Sequence, residues 1–234
     1  MRQAVILAGG LGTRLRASTG DLPKPMVPVR GKPFLRWLIE LLRDRGMQQA
    51  LLLTGHRAEV IHDHFARHPI DGIELAYARE PAPLGTGGAV LEALPQLAPR
   101  FVLVNGDTYL DAPYAGLLEQ AERHAAPALM AIYRDAHGEL DQPGNVAIDA
   151  DGVVVSYQKA TAGPPLPYID AGATVWSRDL LDRLPPRTGP FSLEHDVFPA
   201  LIARRQLRSS LSPARFYHIG TPERLAVFER ALPG

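Results

Sequence analysis

The chain has 234 residues, and 25 Lys and Arg balance 25 Asp and Glu, so its formal net charge is zero. A chain this long buries roughly three quarters of its unfolded surface, and a neutral balance excludes an extended nucleic-acid surface, which needs excess basic charge to displace counterions. The absence of Cys excludes disulfides, thiolate metal sites and cysteine nucleophiles, and no apolar run approaches the ~18 residues of a membrane span, so no membrane partner is expected.

Residues 3–8 are an apolar, β-rich run and read as a buried parallel strand. The run stops at a glycine pair, too soon for the apolar region of a signal peptide, and a cytoplasmic protein is expected. Residues 9–28 form a long loop with four glycines and three prolines. A loop of that length inside a compact domain is usually functional. Apolar residues at 34, 35, 38, 41 and 42 have helical spacing, and Gly46 ends a helix over residues 34–45. A strand at 50–54, a helix at 59–65, a strand at 73–78, a helix at 87–97 and a strand at 101–104 follow. This alternation predicts an α/β fold, a doubly wound, mixed but mainly parallel sheet of Rossmann type in three α/β/α layers.

Beyond residue 126 the strands lie closer together, at 129–133, 145–148, 153–157 and 171–176. They predict an antiparallel or mixed part laid against the first sheet. Helices at 193–204 and 222–231 flank a hairpin over residues 207–219. The chain stops after the last helix, so a single domain with no appended module is expected, divided into residues 1–126 and 127–234.

Only three of the 25 basic residues are lysine: Lys24, Lys32 and Lys159. Where an arginine-rich chain keeps lysine, a compact point charge is favoured. Lys32 reads as structural, at the entry to the helix beginning near Phe34.

Three motifs carry chemistry. The first is Leu7-Ala8-Gly9-Gly10-Leu11-Gly12-Thr13-Arg14-Leu15, followed by Leu22-Pro23-Lys24-Pro25. Glycines directly after a first strand let backbone N–H groups close on an anion. No Gly-Lys-Ser/Thr follows, and Leu15 stands where a dinucleotide fingerprint needs its third glycine. With Arg14 and Lys24 the loop reads as a polyphosphate cradle. The second is Pro83-Leu84-Gly85-Thr86-Gly87-Gly88-Ala89, which suits a base or ribose against backbone amides, or a helix start with Thr86 as N-cap. The third is Val104-Asn105-Gly106-Asp107, whose carboxylate at a strand end suits Mg²⁺ or serves as a turn residue.

These motifs, with Ile219-Gly220-Thr221-Pro222-Glu223, resemble the sugar-phosphate nucleotidyltransferases over essentially the whole chain. Within them, Asp21-Leu22-Pro23-Lys24-Pro25-Met26 and Asn105-Gly106-Asp107-Thr108-Tyr109 are similar to the short guanylyltransferases for D-glycero-α-D-manno-heptose 1-phosphate, which lack a C-terminal β-helix. Mannose 1-phosphate guanylyltransferases are close relatives.

The resemblance implies the family's Rossmann-like nucleotidyltransferase fold, GTP and a sugar 1-phosphate as substrates, Mg²⁺ or Mn²⁺ as cofactor, and commonly a homodimer. By that resemblance Arg14 and Lys24 hold the triphosphate and Asp107 the metal. Leu7, Ala8, Gly9, Gly10, Gly12, Thr13, Gly85, Thr86, Gly87, Gly88, Asn105 and Gly106 surround the nucleotide. Gly144, Asn145, Lys159, Asp170, Gly172 and Glu194 surround the sugar phosphate, Glu194 being alternatively a first-turn helix acid. The family's second metal ligand is an acid where this chain has His218. His218 is either a neutral imidazole ligand, better suited to Mn²⁺ or Zn²⁺ than to Mg²⁺, or a hydrogen-bonded residue beside the site. Gln158-Lys159-Ala160 and Asp170-Ala171-Gly172 also depart from the family pattern, both where relatives contact the sugar.

Overall fold

The structure, a computed structural model, describes residues 1–10, 22–158, 164–185 and 189–232. Strand β1 (Gln3–Leu7) is followed by a 3-10 turn at Lys24–Met26, the short pair β2 (Pro28–Val29) and β3 (Lys32–Pro33), and helix α1 (Phe34–Asp44). Next come β4 (Gln49–Thr54), α2 (Ala58–Arg67), β5 (Glu74–Arg79), α3 (Gly85–Glu92), β6 (Arg100–Asn105), β7 (Thr108–Leu110) and α4 (Tyr114–Arg123). The rest carries β8 (Ala128–Tyr133), β9 (Val146–Ile148), β10 (Val154–Tyr157), β11 (Ile169–Ser177) and α5 (Arg178–Asp182). A π-helical turn at Leu193–Val197, α6 (Phe198–Ala203), β12 (Leu207–Leu211), β13 (Phe216–His218) and α7 (Pro222–Ala231) complete it.

One seven-stranded sheet runs through the molecule in the order β12-β8-β11-β6-β1-β4-β5. β1 pairs in parallel with β4 and β6, β4 with β5, and β8 with β12, while β11 runs antiparallel between β6 and β8. Alternate residues face opposite layers because side chains alternate along a strand. Ala4, Ile6, Leu52 and Val104 pack into the core under α1, α2, α4 and α7. Val5, Leu51, Leu53 and Leu103 pack into the core under α3, α5 and α6. The result is the doubly wound α/β/α arrangement expected from the alternation of elements. No helix among the described residues is long and apolar enough to cross a membrane.

Helix α1 shows why the spacing is informative. Phe34, Leu35, Leu38, Ile39 and Leu42 are fully buried on one face. Burying each large apolar side chain contributes about 1.5–3 kcal/mol. Gly46, at a φ of +87°, takes the left-handed conformation that turns the chain into β4. Lys32 is structural here: its Nζ lies 2.5 Å from Glu40 and 3.5 Å from the centre of the Trp37 ring.

Two expectations change, and one helix is added. Residues 207–219 are not a hairpin. β12 lies parallel to β8 at the sheet edge, and β13 pairs with β7 in a separate two-stranded sheet. Alternating polar and apolar residues set which face of a strand is buried, but not its partner. The helix expected over 193–204 divides into the π turn and α6, because Pro199 has no N–H to continue a regular ladder. Helix α4, unread in the sequence, buries Tyr114, Leu117, Leu118 and Ala121 against the sheet.

Candidate active site

Strand order reverses at β1: the chain first moves outward through β4 and β5, then returns to β6 on the other side. In such sheets a crevice opens beyond the carboxyl ends of the strands at the reversal. Leu7 and Asn105, the last residues of β1 and β6, stand side by side there. A cleft of about 510 Å³ opens over them, lined by Gly9, Gly10, Lys24, Glu80, Gly85, Thr86, Gly106, Asp107 and Glu194 among others. A smaller cavity of about 20 Å³ shares Leu7, Asn105 and Glu194 with the cleft and adds Asp170, Gly172 and Thr174.

Lys24 opens the 3-10 turn and forms an ion pair with Asp107 from the end of β6. Gly106 donates to the Leu7 carbonyl at 3.1 Å, and a Cβ on it would stand 2.4 Å from that oxygen. Only glycine therefore lets the chain cross the end of β1 and deliver Asp107 to the cleft. Ala8 is buried, its N–H bonded to Leu53 at 2.9 Å, and supports the loop from behind. Gly12, Thr13, Arg14 and Lys159 lie outside the described residues.

The glycines after β5 also answer to packing against Phe191 and Leu84. A Cβ on Gly85 would meet the Phe191 carbonyl oxygen at 2.4 Å, one on Gly87 the Phe191 ring at 2.1 Å, and one on Gly88 the Leu84 side chain at 2.7 Å. Gly87 and Gly88 are buried by this packing, and among these glycines only Gly85 lines the cleft. Thr86 is not an N-cap, since α3 begins at Gly85 with Leu84 in the cap position. Its hydroxyl donates to Glu194 at 2.8 Å and accepts from the Leu193 N–H at 2.9 Å. Glu194 also accepts from Ser192, so this carboxylate joins α3 to the π turn at the cleft wall.

On the far side the backbone of β11 bulges between Asp170 and Thr174. Gly172 sits there at a φ of +78°, and its N–H donates to Asp170 at 2.9 Å. Asn145 Oδ1 accepts from the Asp170 N–H at 2.8 Å. The Tyr157 hydroxyl donates to Asp170 at 3.2 Å. Burial, reinforced by the charges of Asp170 and Glu194, pushes the Tyr157 phenol far up, so it stays a donor. A Cβ on Gly144 would stand 1.8 Å from the Leu166 carbonyl oxygen, so glycine is required where β9 begins. Gly144 and Asn145 do not line the small cavity, whereas Asp170 and Gly172 do.

One charged residue lining the cleft escaped the sequence reading. Glu80 follows β5, and its Oε2 accepts from the Leu84 N–H at 3.1 Å. Its other oxygen occupies the space a Cβ on Gly9 would need, at 2.2 Å. The available signal was positional: Glu80 stands just beyond a parallel strand, as Gly9 does after β1.

Among the described residues no three His, Asp or Glu side chains converge on a metal site. Asp107 brings a hard carboxylate oxygen to the cleft beside Lys24, which fits Mg²⁺, a cation that commonly takes one or two carboxylates and completes its shell with phosphate and water. His218 pairs with Thr108 across β7 and β13, and the following residue, Ile219, donates to the Asp107 carbonyl at 3.0 Å. The His218 Nδ1 lies 3.3 Å from Arg224 Nη1.

A family model described as nucleotidyl transferase matches residues 3–231. The mannose-1-phosphate guanylyltransferase of Mycobacterium tuberculosis is 34% identical over 223 residues, covering 94% of this chain and 61% of the relative. The chain therefore spans about three fifths of that relative's length. The D-glycero-alpha-D-manno-heptose 1-phosphate guanylyltransferase of Campylobacter jejuni is 30% identical over 221 residues, covering 94% of this chain and 96% of the relative. The crystal structure of HddC from Yersinia pseudotuberculosis complexed with GMP-PN superposes with a TM-score of 0.79 at 32% identity, covering 97% of each chain.

Proposed function

The chain belongs to the nucleotidyl transferase family, and we propose that it transfers GMP from GTP to D-glycero-α-D-manno-heptose 1-phosphate, releasing pyrophosphate. The observation that carries this reading is the pair of joined cavities. One holds a glycine loop, Lys24 and Asp107, and the other holds Asp170 at the wall shared through Glu194. Residues 1–126 hold the nucleotide and residues 127–234 the sugar phosphate.

An oxygen of the sugar 1-phosphate attacks the α-phosphorus in line. The new P–O bond forms as the bond to the β-phosphate oxygen breaks, and pyrophosphate carries away the electron pair. The nucleophile is already anionic, with a second pKa near ~6, so no general base and no covalent intermediate is required. Catalysis is positioning and charge neutralisation. Lys24 supplies an ammonium at the phosphates, and Arg14 of the same sequence motif supplies a second cation. Bound Mg²⁺, held by Asp107, supplies further neutralisation of phosphate charge. Lys159 grips the sugar phosphate, and the carboxylates of Asp170 and Glu194 accept from sugar hydroxyls.

Glu80 is the base reader in this assignment. Guanine presents two donors in a row, N1–H and the 2-amino group, and a carboxylate presents two acceptors. Uracil and thymine present a single donor flanked by carbonyls, which a carboxylate repels.

A pyrophosphate-release matrix tests the reading, crossing GTP, UTP, dTTP, CTP and ATP with heptose, mannose and glucose 1-phosphates in Mg²⁺ and in Mn²⁺. A dominant GTP–heptose signal is expected, and silence in every combination would sink the proposal. Mannose 1-phosphate is the second reading, favoured by the Mycobacterium tuberculosis relative, and a dominant GTP–mannose signal would select it. Glu80→Gln is expected to lower kcat/KM for GTP by about 10–100-fold, the scale of losing a hydrogen bond to a charged group. The variant should also lose preference for GTP over ITP, which lacks the 2-amino group.

A further inference from the structure

His218 and Arg224 bear on how this site holds its cation. Arg224 is anchored from behind, its Nη2 donating to the Asp141 carbonyl at 2.5 Å. Its Nη1 faces the His218 Nδ1 at 3.3 Å. Lys24 Nζ, His218 Nδ1 and Arg224 Nη1 all lie within 4 Å of the point where a Cβ on Gly220 would stand, at 3.8, 3.5 and 3.9 Å. The nitrogen of His218 on that side therefore faces the Arg224 guanidinium, with the Lys24 ammonium also close to Gly220.

Guanidinium only donates hydrogen bonds, so the facing imidazole nitrogen accepts. A neutral ring that accepts at Nδ1 carries its proton on Nε2. A protonated nitrogen has no lone pair for a metal, and the remaining lone pair is committed to Arg224.

We infer that Arg224 holds His218 as a neutral Nε2–H tautomer, and that His218 is a positioning residue excluded from the coordination shell of the divalent cation. This rests on the proposed function for the presence of a cation at Asp107. The consequence is a site with a carboxylate and no imidazole, in which the cation binds weakly alone and tightly as its nucleotide complex. His218 acts instead through the backbone: the β13–β7 pairing fixes Thr108, and Ile219 fixes Asp107.

Mn²⁺ serves as the probe, because imidazole nitrogen bound to it gives a characteristic modulation of the electron spin echo. The wild-type chain with Mn²⁺ and GTP is expected to show phosphorus coupling and no modulation that disappears in His218→Gln. A nitrogen modulation present in the wild type and lost in His218→Gln would overturn the inference. Arg224→Met frees Nδ1 and is expected to introduce that modulation; its absence would overturn the role given to Arg224. Titration with Mn²⁺ alone separates this inference from the proposed function, since it needs no nucleotide. His218→Gln is expected to change the Mn²⁺ Kd by less than about twofold and Asp107→Asn to raise it by at least about tenfold, the scale of losing a charged ligand. Equal losses in the two variants would overturn the inference. Absence of phosphorus coupling with an unchanged Mn²⁺ titration would count against the nucleotide reading alone.

Discussion

In residues 1–126 four groups lining the cleft stand just after the carboxyl ends of parallel strands: Gly9 and Gly10 after β1, Glu80 after β5, Asp107 after β6. In residues 127–234 they stand on irregular backbone, with Asp170 and Gly172 at a bulge in an antiparallel strand and Glu194 in a π turn. The first arrangement follows from topology, since parallel strands converge their carboxyl ends on one edge. The second depends on local departures from regular geometry, each stabilised by its own hydrogen bonds. On the proposed reading the nucleotide cleft is built the first way, and the sugar subsite is built the second way, on backbone that is more easily reshaped.

The largest effect expected lies in the first region. Asp107→Asn keeps the shape but removes the charge that pairs with Lys24. Turnover in Mg²⁺ is expected to fall by about 10³-fold, the scale of losing a preorganised electrostatic group. Steady-state kinetics check this, and near-native kcat would break the assignment of the two regions.

Asp170→Asn probes the second region. It weakens the contacts to Tyr157 and the Gly172 N–H and to any sugar hydroxyl. KM for the sugar phosphate is expected to rise about 10–100-fold, with KM for GTP unchanged. An equal rise in both constants would erase the distinction between the regions.

Gly172→Ala tests whether the bulge itself is a constraint. The position has a φ of +78°, and a Cβ would approach the Thr108 side chain to 2.9 Å. Strain of about 1–3 kcal/mol is expected, read as a lower Tm, together with impaired use of the sugar phosphate. A variant of unchanged Tm would show that the bulge relaxes freely.

The smallest effect is expected at Asp149, in the turn between β9 and β10. Backbone bonds from Val153 and Asp151 and the Arg205 guanidinium hold its carboxyl below the usual range. A depressed folded-state pKa contributes stability above the unfolded value of about 3.9 and loses it as the pH falls through the folded value. Thermal scans of Asp149→Asn against the wild type should therefore differ at pH 7 and converge in acid. A gap that persists in acid would show that charge is not what holds this turn.

The helical stripe of α1, the buried runs of β1, β4 and β6, and the glycine loop with Lys24 and Asp107 were readable because each is a local pattern of spacing or residue type. The contacts that decide their use are not local. The Lys24–Asp107 pair joins residues 83 positions apart, and Thr86 meets Glu194 across 108. The Phe191 ring fills the side-chain space at Gly87, a contact no local pattern announces. Glu80 carries no motif of its own and becomes visible only when Gly9 is seen to make room for it.

By itself the sequence determined the class of fold and the edge of the sheet where chemistry belongs, because hydrophobic periodicity and glycine placement act within a few residues. Tertiary structure alone decided that β12 and β13 part to join different sheets, that Thr86 braces Glu194, and that His218 faces Arg224. Each of those outcomes depends on which surfaces meet when the layers close, and pairing between distant groups has no signature in the spacing of either one.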